Sequence, residues 1–229
     1  MTGYIDRKKS AGDPGNVGSG AGPDATRQAD ASADGRVEAA VGSVLVLATV
    51  AAALFFRRHP GPTFVDRWGF SLIHPAVHNS FYRSVTKLRS VDFLVAASIL
   101  SAVVVVGRDR LRALACLLGP GLAVVLVEWL LKPVIARRYE AVLTFPSGSV
   151  TVVASVATAW VLAVPRRLRP VTVVVGAVVV VLECVSVVAL QWHFPSDALG
   201  GVVFGVGVVL LVDGLLHMTA GTRRRAADR

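Results

Sequence analysis

Two short stretches of the sequence combine residue types that can handle a phosphate group. The first is TFPSGSVT, with Pro146, Ser147 and Gly148 at a predicted helix start. The second is WHFPSD, in which His193 precedes Asp197 by four residues. Backbone amides at a helix N-terminus bind anions, and glycine lets the anion approach closely. A carboxylate can fix the tautomer of a nearby histidine, as a nucleophile or base requires. Each stretch alone is also typical of a capped helix start.

Basic residues precede the first stretch in LLKPVIARRYE, where Lys132, Arg137 and Arg138 lie close together. Lysine offers a phosphate a point charge, and arginine offers a planar fork of donors. The alternative is snorkelling of long cationic side chains at a membrane surface. Glu128 precedes Lys132 by four residues, a spacing that lets the two pair on a helix. Glu183 lies inside an apolar block, where an ionisable group is either functional or held by a structural partner.

Six apolar blocks must position these residues. The chain has 229 residues, of which 54% are hydrophobic. Most blocks approach the ~20 residues that cross about 30 Å of hydrocarbon. A soluble bundle would instead need several strongly apolar helices without a polar face. We therefore predict an all-α polytopic membrane protein with six transmembrane helices, over residues 39–56, 91–107, 113–131, 150–164, 171–190 and 198–218.

Charge predicts the orientation of the bundle. The net charge is +9, but the basic residues lie between the apolar blocks, which argues against a nucleic-acid partner. With both termini inside, 15 of the 24 Lys and Arg residues lie on the inner side. The positive-inside bias thus favours cytoplasmic termini and a plasma-membrane location. In this orientation Lys132, Gly148, His193 and Asp197 all converge on the extracytoplasmic face.

The composition predicts three regions. Residues 1–37 are rich in Gly, Ala, Ser and Asp, and we expect a disordered cytoplasmic tail. Residues 38–218 form the membrane domain, and residues 219–229 form a basic cytoplasmic tail. Within the domain, residues 57–90 repeat apolar side chains at helical spacing between basic ones. This pattern is typical of short helices in the membrane interface, or of a surface helix pair packed on the bundle.

Metal ligands do not form a recognisable pattern in the sequence. Cys116 and Cys184 both lie in apolar blocks, where buried thiols usually act as small apolar packers. The sequence contains no CxxC motif and no His/Cys cluster. We therefore predict neither a metal nor another cofactor.

Taken together, the polar residues resemble the type 2 phosphatidic acid phosphatase family, the membrane relatives of bacterial acid phosphatases and vanadium haloperoxidases. The first motif of that family is K-x6-R-P. Lys132 matches its lysine, and Arg137 matches an arginine often found five residues later. The terminal Arg-Pro pair falls on Tyr139 and Glu140 and is absent, which makes the adjacent Arg138 the candidate substitute.

The other two family motifs are P-S-G-H and S-R-x5-H-x3-D, and both are altered here. The second motif continues from its P-S-G into Ser149 instead of histidine. The third begins at Ser186 and has Val187 in place of arginine, but keeps His193 and Asp197 at the family spacing. The resemblance covers roughly residues 39–218.

The resemblance implies a phosphatase site at the outer face. In the family the last histidine attacks phosphorus and becomes a phosphohistidine, and the aspartate orients it. On this chain those roles fall on His193 and Asp197, and the phosphate cradle falls on Lys132, Arg137, Arg138, Ser147 and Gly148. The histidine of P-S-G-H, which donates a proton to the leaving oxygen, is missing at Ser149.

The missing proton donor predicts the substrate. A positioned general acid contributes ~10²–10⁴ in rate. A lipid alkoxide is a poor leaving group without a proton, whereas a diphosphate expels a phosphate that is stable as an anion. We therefore predict hydrolysis of lipid phosphates, preferentially polyprenyl diphosphates. One alternative is a silent relative that binds lipid phosphates or partners another membrane enzyme. A transporter or channel subunit would instead place charges along a central path.

Overall fold

The computed structural model describes residues 23–139 and 142–227. Its helices in these ranges are α1 (Pro23–Arg58), α2 (Phe64–Leu72), α3 (Ser80–Val85), α4 (Val91–Val106), α5 (Arg110–Val125), α6 (Lys132–Ile135), α7 (Gly148–Ala163), α8 (Arg169–Ala189) and α9 (Pro195–Ala227). Two-residue strands, β1 (Arg138–Tyr139) and β2 (Val142–Leu143), pair antiparallel. A 3₁₀ turn (Thr86–Arg89) precedes α4, another (Arg166–Leu168) precedes α8, and a π-helical turn (Leu126–Leu131) joins α5 to α6.

The all-α prediction is confirmed, and the apolar helices indicate a multi-pass membrane protein. Four helical stretches in the described ranges are long and apolar enough to cross a membrane: Gly35–Arg58, Arg110–Ile135, Arg166–Ala189 and Pro195–Thr222. A fifth is added if Ser80–Arg89 and Val91–Val106, which meet at 55°, count as one span. Helix α7 is apolar but has only 16 residues. Six spans therefore stay a prediction.

The predicted tails differ from the structure where it describes them. Residues 1–22 and 228–229 lie outside the described residues, but residues 23–37, expected to be disordered, belong to α1. This segment is rich in alanine, the strongest helix former, and its proline stands at the first helical position, where proline is favoured. Similarly, α9 continues through residues 219–227 of the predicted C-terminal tail.

Helices α1 and α9 pack backbone to backbone. A Cβ on Gly42 would collide with the α9 backbone at Leu211, and one on Gly214 would collide with the α1 backbone at Ala39. Small residues permit such close approach between membrane helices, where packing rather than water exclusion drives association. This contact fixes α9, the helix that begins directly after His193 and Phe194, against α1.

A charged cluster ties α1, α5 and α9 together at the end of the bundle away from those residues. Arg112 donates to Glu38 and Asp213, each at 3.0 Å. His217 Nε2 lies 3.0 Å from Asp109 Oδ2. The hydrogen bond to His217 lowers the pKa of Asp109 to about 2. Through these contacts Arg112 links Glu38 of α1 and Asp213 of α9 to α5, so the cluster holds the three helices together.

The segment 57–90 contains α2, α3 and the first 3₁₀ turn. Helix α2 begins with a capping box, in which Thr63 and Asp66 exchange side-chain and backbone hydrogen bonds. Phe64, Trp68 and Leu72 lie on its outer side and are 74%, 59% and 61% exposed. Asp66 points the other way and is fully buried. This short helix therefore joins an apolar outer surface to the interior of the bundle.

Candidate active site

A cavity of about 520 Å³ opens where α6, the start of α7 and the α8–α9 loop meet. It is formed at the end of the bundle opposite the Arg112 cluster. The 3₁₀ turn before α4 and the β hairpin complete its wall. Its polar and glycine lining consists of Arg89, Glu128, Lys132, Tyr139, Gly148, Ser149, Gln191 and His193. The structure therefore brings together residues from all three sequence motifs, although not every predicted site residue.

His193 lies in the α8–α9 loop and its ring is almost fully buried in the cavity wall. Burial lowers its pKa to about 3, and the positive charge of Lys132 adds to the effect. The imidazole is therefore neutral at physiological pH, as a nucleophile must be. Among the described residues, Nδ1 has no hydrogen-bond partner. A buried polar nitrogen without a partner is uncommon in folded proteins, which marks His193 as a candidate functional residue.

Asp197 stands in the first turn of α9 and is fully buried. Its Oδ2 accepts from the backbone N–H of Phe194 at 3.0 Å, which caps the helix. The same oxygen lies 4.0 Å from Nδ1 of His193, beyond hydrogen-bond distance. Both interpretations of WHFPSD thus apply at once, because the carboxylate caps α9 and also faces the histidine.

Arg137 lies behind Asp197 and does not line the cavity, contrary to its predicted place in the phosphate cradle. It follows Ala136, whose left-handed backbone (φ 54°) ends α6 and turns the chain inward. The guanidinium is fully buried and donates to Asp197 at 2.5 Å and to Asp66 at 2.9 Å. Its guanidinium carbon also lies over the rings of Phe56 and Phe194, 3.9 and 4.4 Å from the ring centres. With its donors used in this way, the side chain positions Asp197 instead of meeting phosphate.

Asp66 is a site residue that the sequence does not predict. Its carboxylate accepts from Arg137 and from the backbone N–H of Ser196 at 2.8 Å, and it also takes part in the Thr63 capping box. Burial alone would raise its pKa, but the hydrogen bonds from Ser196 and Thr63 outweigh burial and lower it. The anion is therefore stable in the interior. The capping-box spacing Thr63–Asp66 is visible in the sequence, but the distant partner of Asp66 is not.

Two cations face the cavity. Lys132, as predicted, lines the wall, and its Nζ lies 2.7 Å from Glu128 Oε1. Arg89, from the 3₁₀ turn before α4, also lines the wall, with its guanidinium carbon 4.9 Å from the ring centre of Trp192. In the sequence Arg89 is only one of several basic residues in an interfacial segment. It places a guanidinium in a site whose third-motif arginine is missing.

The start of α7 contributes one wall of the cavity. Ser147 caps the helix, accepting from the N–H of Val150 at 3.5 Å, while its own N–H donates to the Asp197 carbonyl at 2.9 Å. It is fully buried and does not line the cavity, so it too differs from its predicted cradle role. Gly148 and Ser149 do line the cavity. The N-terminal end of α7, where backbone amides can bind an anion, therefore faces the same space as His193.

The other positions of the first and third motifs differ in where their side chains lie. Tyr139, at the place of the missing arginine, lines the cavity and donates to Gln191 Oε1 at 3.0 Å. Arg138 is exposed and is not part of the cavity wall. Val187 is fully buried and packs with Val150 in an apolar cluster. Position 187 therefore faces the core of this chain, and valine suits that environment.

One cluster outside the cavity has the composition of a cation site. Ligand atoms of Glu38, Asp213 and His217 lie within 4.8 Å of one another. Arg112, however, donates to both of these carboxylates and already supplies the positive charge. The group is therefore a structural ion-pair cluster.

The fold and cavity together define a class of protein. It is an all-helical, multi-pass membrane bundle with a neutral buried histidine, two cations and a helix N-terminus around one cavity. The chain belongs to the PAP2 superfamily, whose family model matches residues 39–218. This match confirms the predicted family and supports a phosphatase that acts on phosphate esters. No curated protein and no solved structure matches the chain.

Proposed function

We propose that this protein is a membrane-embedded phosphatase that hydrolyses lipid phosphates through a phosphohistidine at His193. The observation that carries the proposal is the neutral, buried imidazole of His193 in a cavity that also contains Lys132 and Arg89. A neutral histidine has a lone pair for attack, and the two cations attract the phosphate that it would attack.

The proposed reaction has two steps. In the first, a lone pair of the His193 ring forms a P–N bond, while the bond from phosphorus to the leaving oxygen breaks and its electron pair departs with that oxygen. In the second, water attacks phosphorus, the P–N bond breaks, and the ring regains its lone pair as inorganic phosphate leaves. During the first step the imidazole becomes cationic, and Asp197 is the carboxylate placed to stabilise it.

The phosphate cradle that we propose differs in part from the sequence prediction. Lys132, Arg89 and the Gly148–Ser149 end of α7 all face the cavity and can surround the non-reacting oxygens. Arg137 lies behind the cavity wall and acts through its contact with Asp197. Its role is to position the aspartate and not to touch substrate.

The substrate class follows from the residue at position 149. Ser149 lines the cavity where the family has its proton donor, and a serine hydroxyl is not an acid near neutral pH. A substrate whose leaving group needs no proton is therefore favoured, and polyprenyl diphosphates meet that condition. The charge bias of the loops supports an extracytoplasmic site on a plasma-membrane protein with both termini inside.

The test is phosphate release by the purified full chain in lipid nanodiscs. We expect release from a polyprenyl diphosphate to exceed release from a phosphatidic acid, and His193→Ala to abolish both. His78→Ala removes an exposed histidine outside the cavity and serves as the matched control. An acid-labile phosphoryl label on wild type that His193→Ala lacks would identify the intermediate. Equal or faster monoester hydrolysis would rule out the diphosphate preference.

A second candidate function is a catalytically silent relative that binds lipid phosphates or partners another membrane enzyme. The separation of 4.0 Å between His193 Nδ1 and Asp197 Oδ2 favours it, because the aspartate is instead bonded to Arg137 and Phe194. Lipid-phosphate binding without release of phosphate from either substrate class would support this function over the first.

A further inference from the structure

The carboxylate of Glu128 lies where an anion bound by the cradle would lie. Its Oε1 is 2.7 Å from Lys132 Nζ. The same oxygen packs so closely on Gly148 that a Cβ at position 148 would collide with it, and Lys132 Nζ would lie 3.4 Å from that Cβ. Glu128 therefore contacts the lysine and the α7 end of the proposed cradle simultaneously.

The backbone explains how Glu128 reaches this place. Glu128 belongs to the π-helical turn Leu126–Leu131, and Lys132 follows that turn directly. Wide π-helical turns inside α-helices are rare and often occur at functional sites. The Glu128 side chain is 42% exposed, against 13% for Lys132. The carboxylate can thus move out into water, while the lysine stays in the wall.

We infer that Glu128 is an internal competitor for the phosphate cradle, so that every phosphate must displace its carboxylate from Lys132 and the start of α7. The inference rests on the proposed function, because it assumes that these groups bind phosphate. A phosphate and a carboxylate repel each other at contact distance and require the same cation. Return of the Glu128 carboxylate after turnover would also speed the departure of inorganic phosphate.

Two simpler roles for Glu128 predict that its removal harms phosphate binding or turnover, whereas the competitor role predicts tighter phosphate binding. If Glu128 only held Lys132 in position, its removal would weaken phosphate binding. If it donated a proton to the leaving oxygen, its removal would lower kcat. A competitor does neither, because its removal makes phosphate bind more tightly and lowers KM.

The test compares wild type with Glu128→Gln, which keeps the shape and removes the charge. Inorganic phosphate is titrated calorimetrically into each full chain in nanodiscs, and phosphate inhibition and KM are measured with a polyprenyl diphosphate. We expect Glu128→Gln to bind phosphate on the order of tenfold more tightly and to lower KM without lowering kcat. Asp92→Asn removes an equal charge from an exposed position outside the cavity and should change neither value.

The outcomes separate this inference from the proposed function. Unchanged or weaker phosphate binding by Glu128→Gln would overturn the inference and leave the cradle standing. Absence of phosphate binding by wild type and Glu128→Gln alike would overturn both. Because the titration needs no turnover, it separates these outcomes even if the chain is catalytically silent.

Discussion

Replacing Arg137 with methionine tests whether this arginine positions Asp197 or binds phosphate. The change keeps the length of the side chain but leaves Asp66 and Asp197 buried without the cation that lies between them. Breaking a buried ion pair by removing one partner costs about 3–5 kcal/mol. For a domain of this size each kcal/mol lowers Tm by roughly 2–4 °C, so we expect a fall of about 6–20 °C.

The assay is thermal unfolding of the purified variant in nanodiscs, together with phosphate titration below its Tm. Arg58→Met is the matched control, because Arg58 is an exposed arginine at the end of α1 and lies outside the cavity wall. Its free energy of unfolding should stay within about 0.5 kcal/mol of wild type, so its Tm should change by no more than roughly 1–2 °C. An unchanged Tm for Arg137→Met with much weaker phosphate binding would refute the positioning role and restore the direct phosphate contact.

Three further predictions concern packing, the motif positions and pH. Val187→Arg should not restore activity but should lower stability or yield, because it buries an unpaired charge in an apolar cluster. Ser149→His should raise the rate of alkyl phosphate hydrolysis by at least about tenfold, which is below the usual range of a general-acid effect. Gly42→Ala should lower Tm by forcing α1 away from α9, while Gly121→Ala, with open space around it, should not. Because the pKa of His193 falls from about 6.5 when unfolded to about 3 when folded, the unfolded chain alone gains that proton as pH drops. Wild type should therefore lose on the order of 2 kcal/mol more stability than His193→Gln between about pH 7 and pH 5, by unfolding midpoints at both pH values.

The sequence predicts the cavity residues best where a residue belongs to a motif at a helix end. Lys132, Gly148 and His193 lie around one space because apolar helices of similar length bring their ends to one level. Arg89 and Asp66 are not predicted as site residues because their partners are distant in sequence. Hydrophobic periodicity and composition do not report contacts of this kind. The sequence does not show that Arg137 contacts Asp66 and Asp197 and lies outside the cavity wall, because a basic residue near a phosphate motif looks the same whether it faces substrate or a buried carboxylate.

The helix boundaries show a similar division. The apolar blocks locate α1, α4, α5, α7, α8 and α9, since hydrophobic length is a strong signal. The helical start of α1 before residue 37 is not predicted because low hydrophobicity suggests disorder, whereas alanine favours a helix without being strongly apolar.

Helix α2 connects the cavity end of the bundle to the outer surface of the protein. Its outer side presents Phe64, Trp68 and Leu72, while Asp66 on its inner side holds Arg137, which in turn holds Asp197. Two contacts, Asp197–Arg137 and Arg137–Asp66, thus connect the aspartate that faces His193 to helix α2. A micelle that lets α2 tilt would move Asp66 away from Arg137, whereas a bilayer that holds α2 in place would preserve this contact. We therefore expect the Asp66–Arg137–Asp197 arrangement to depend on how the surrounding membrane supports α2.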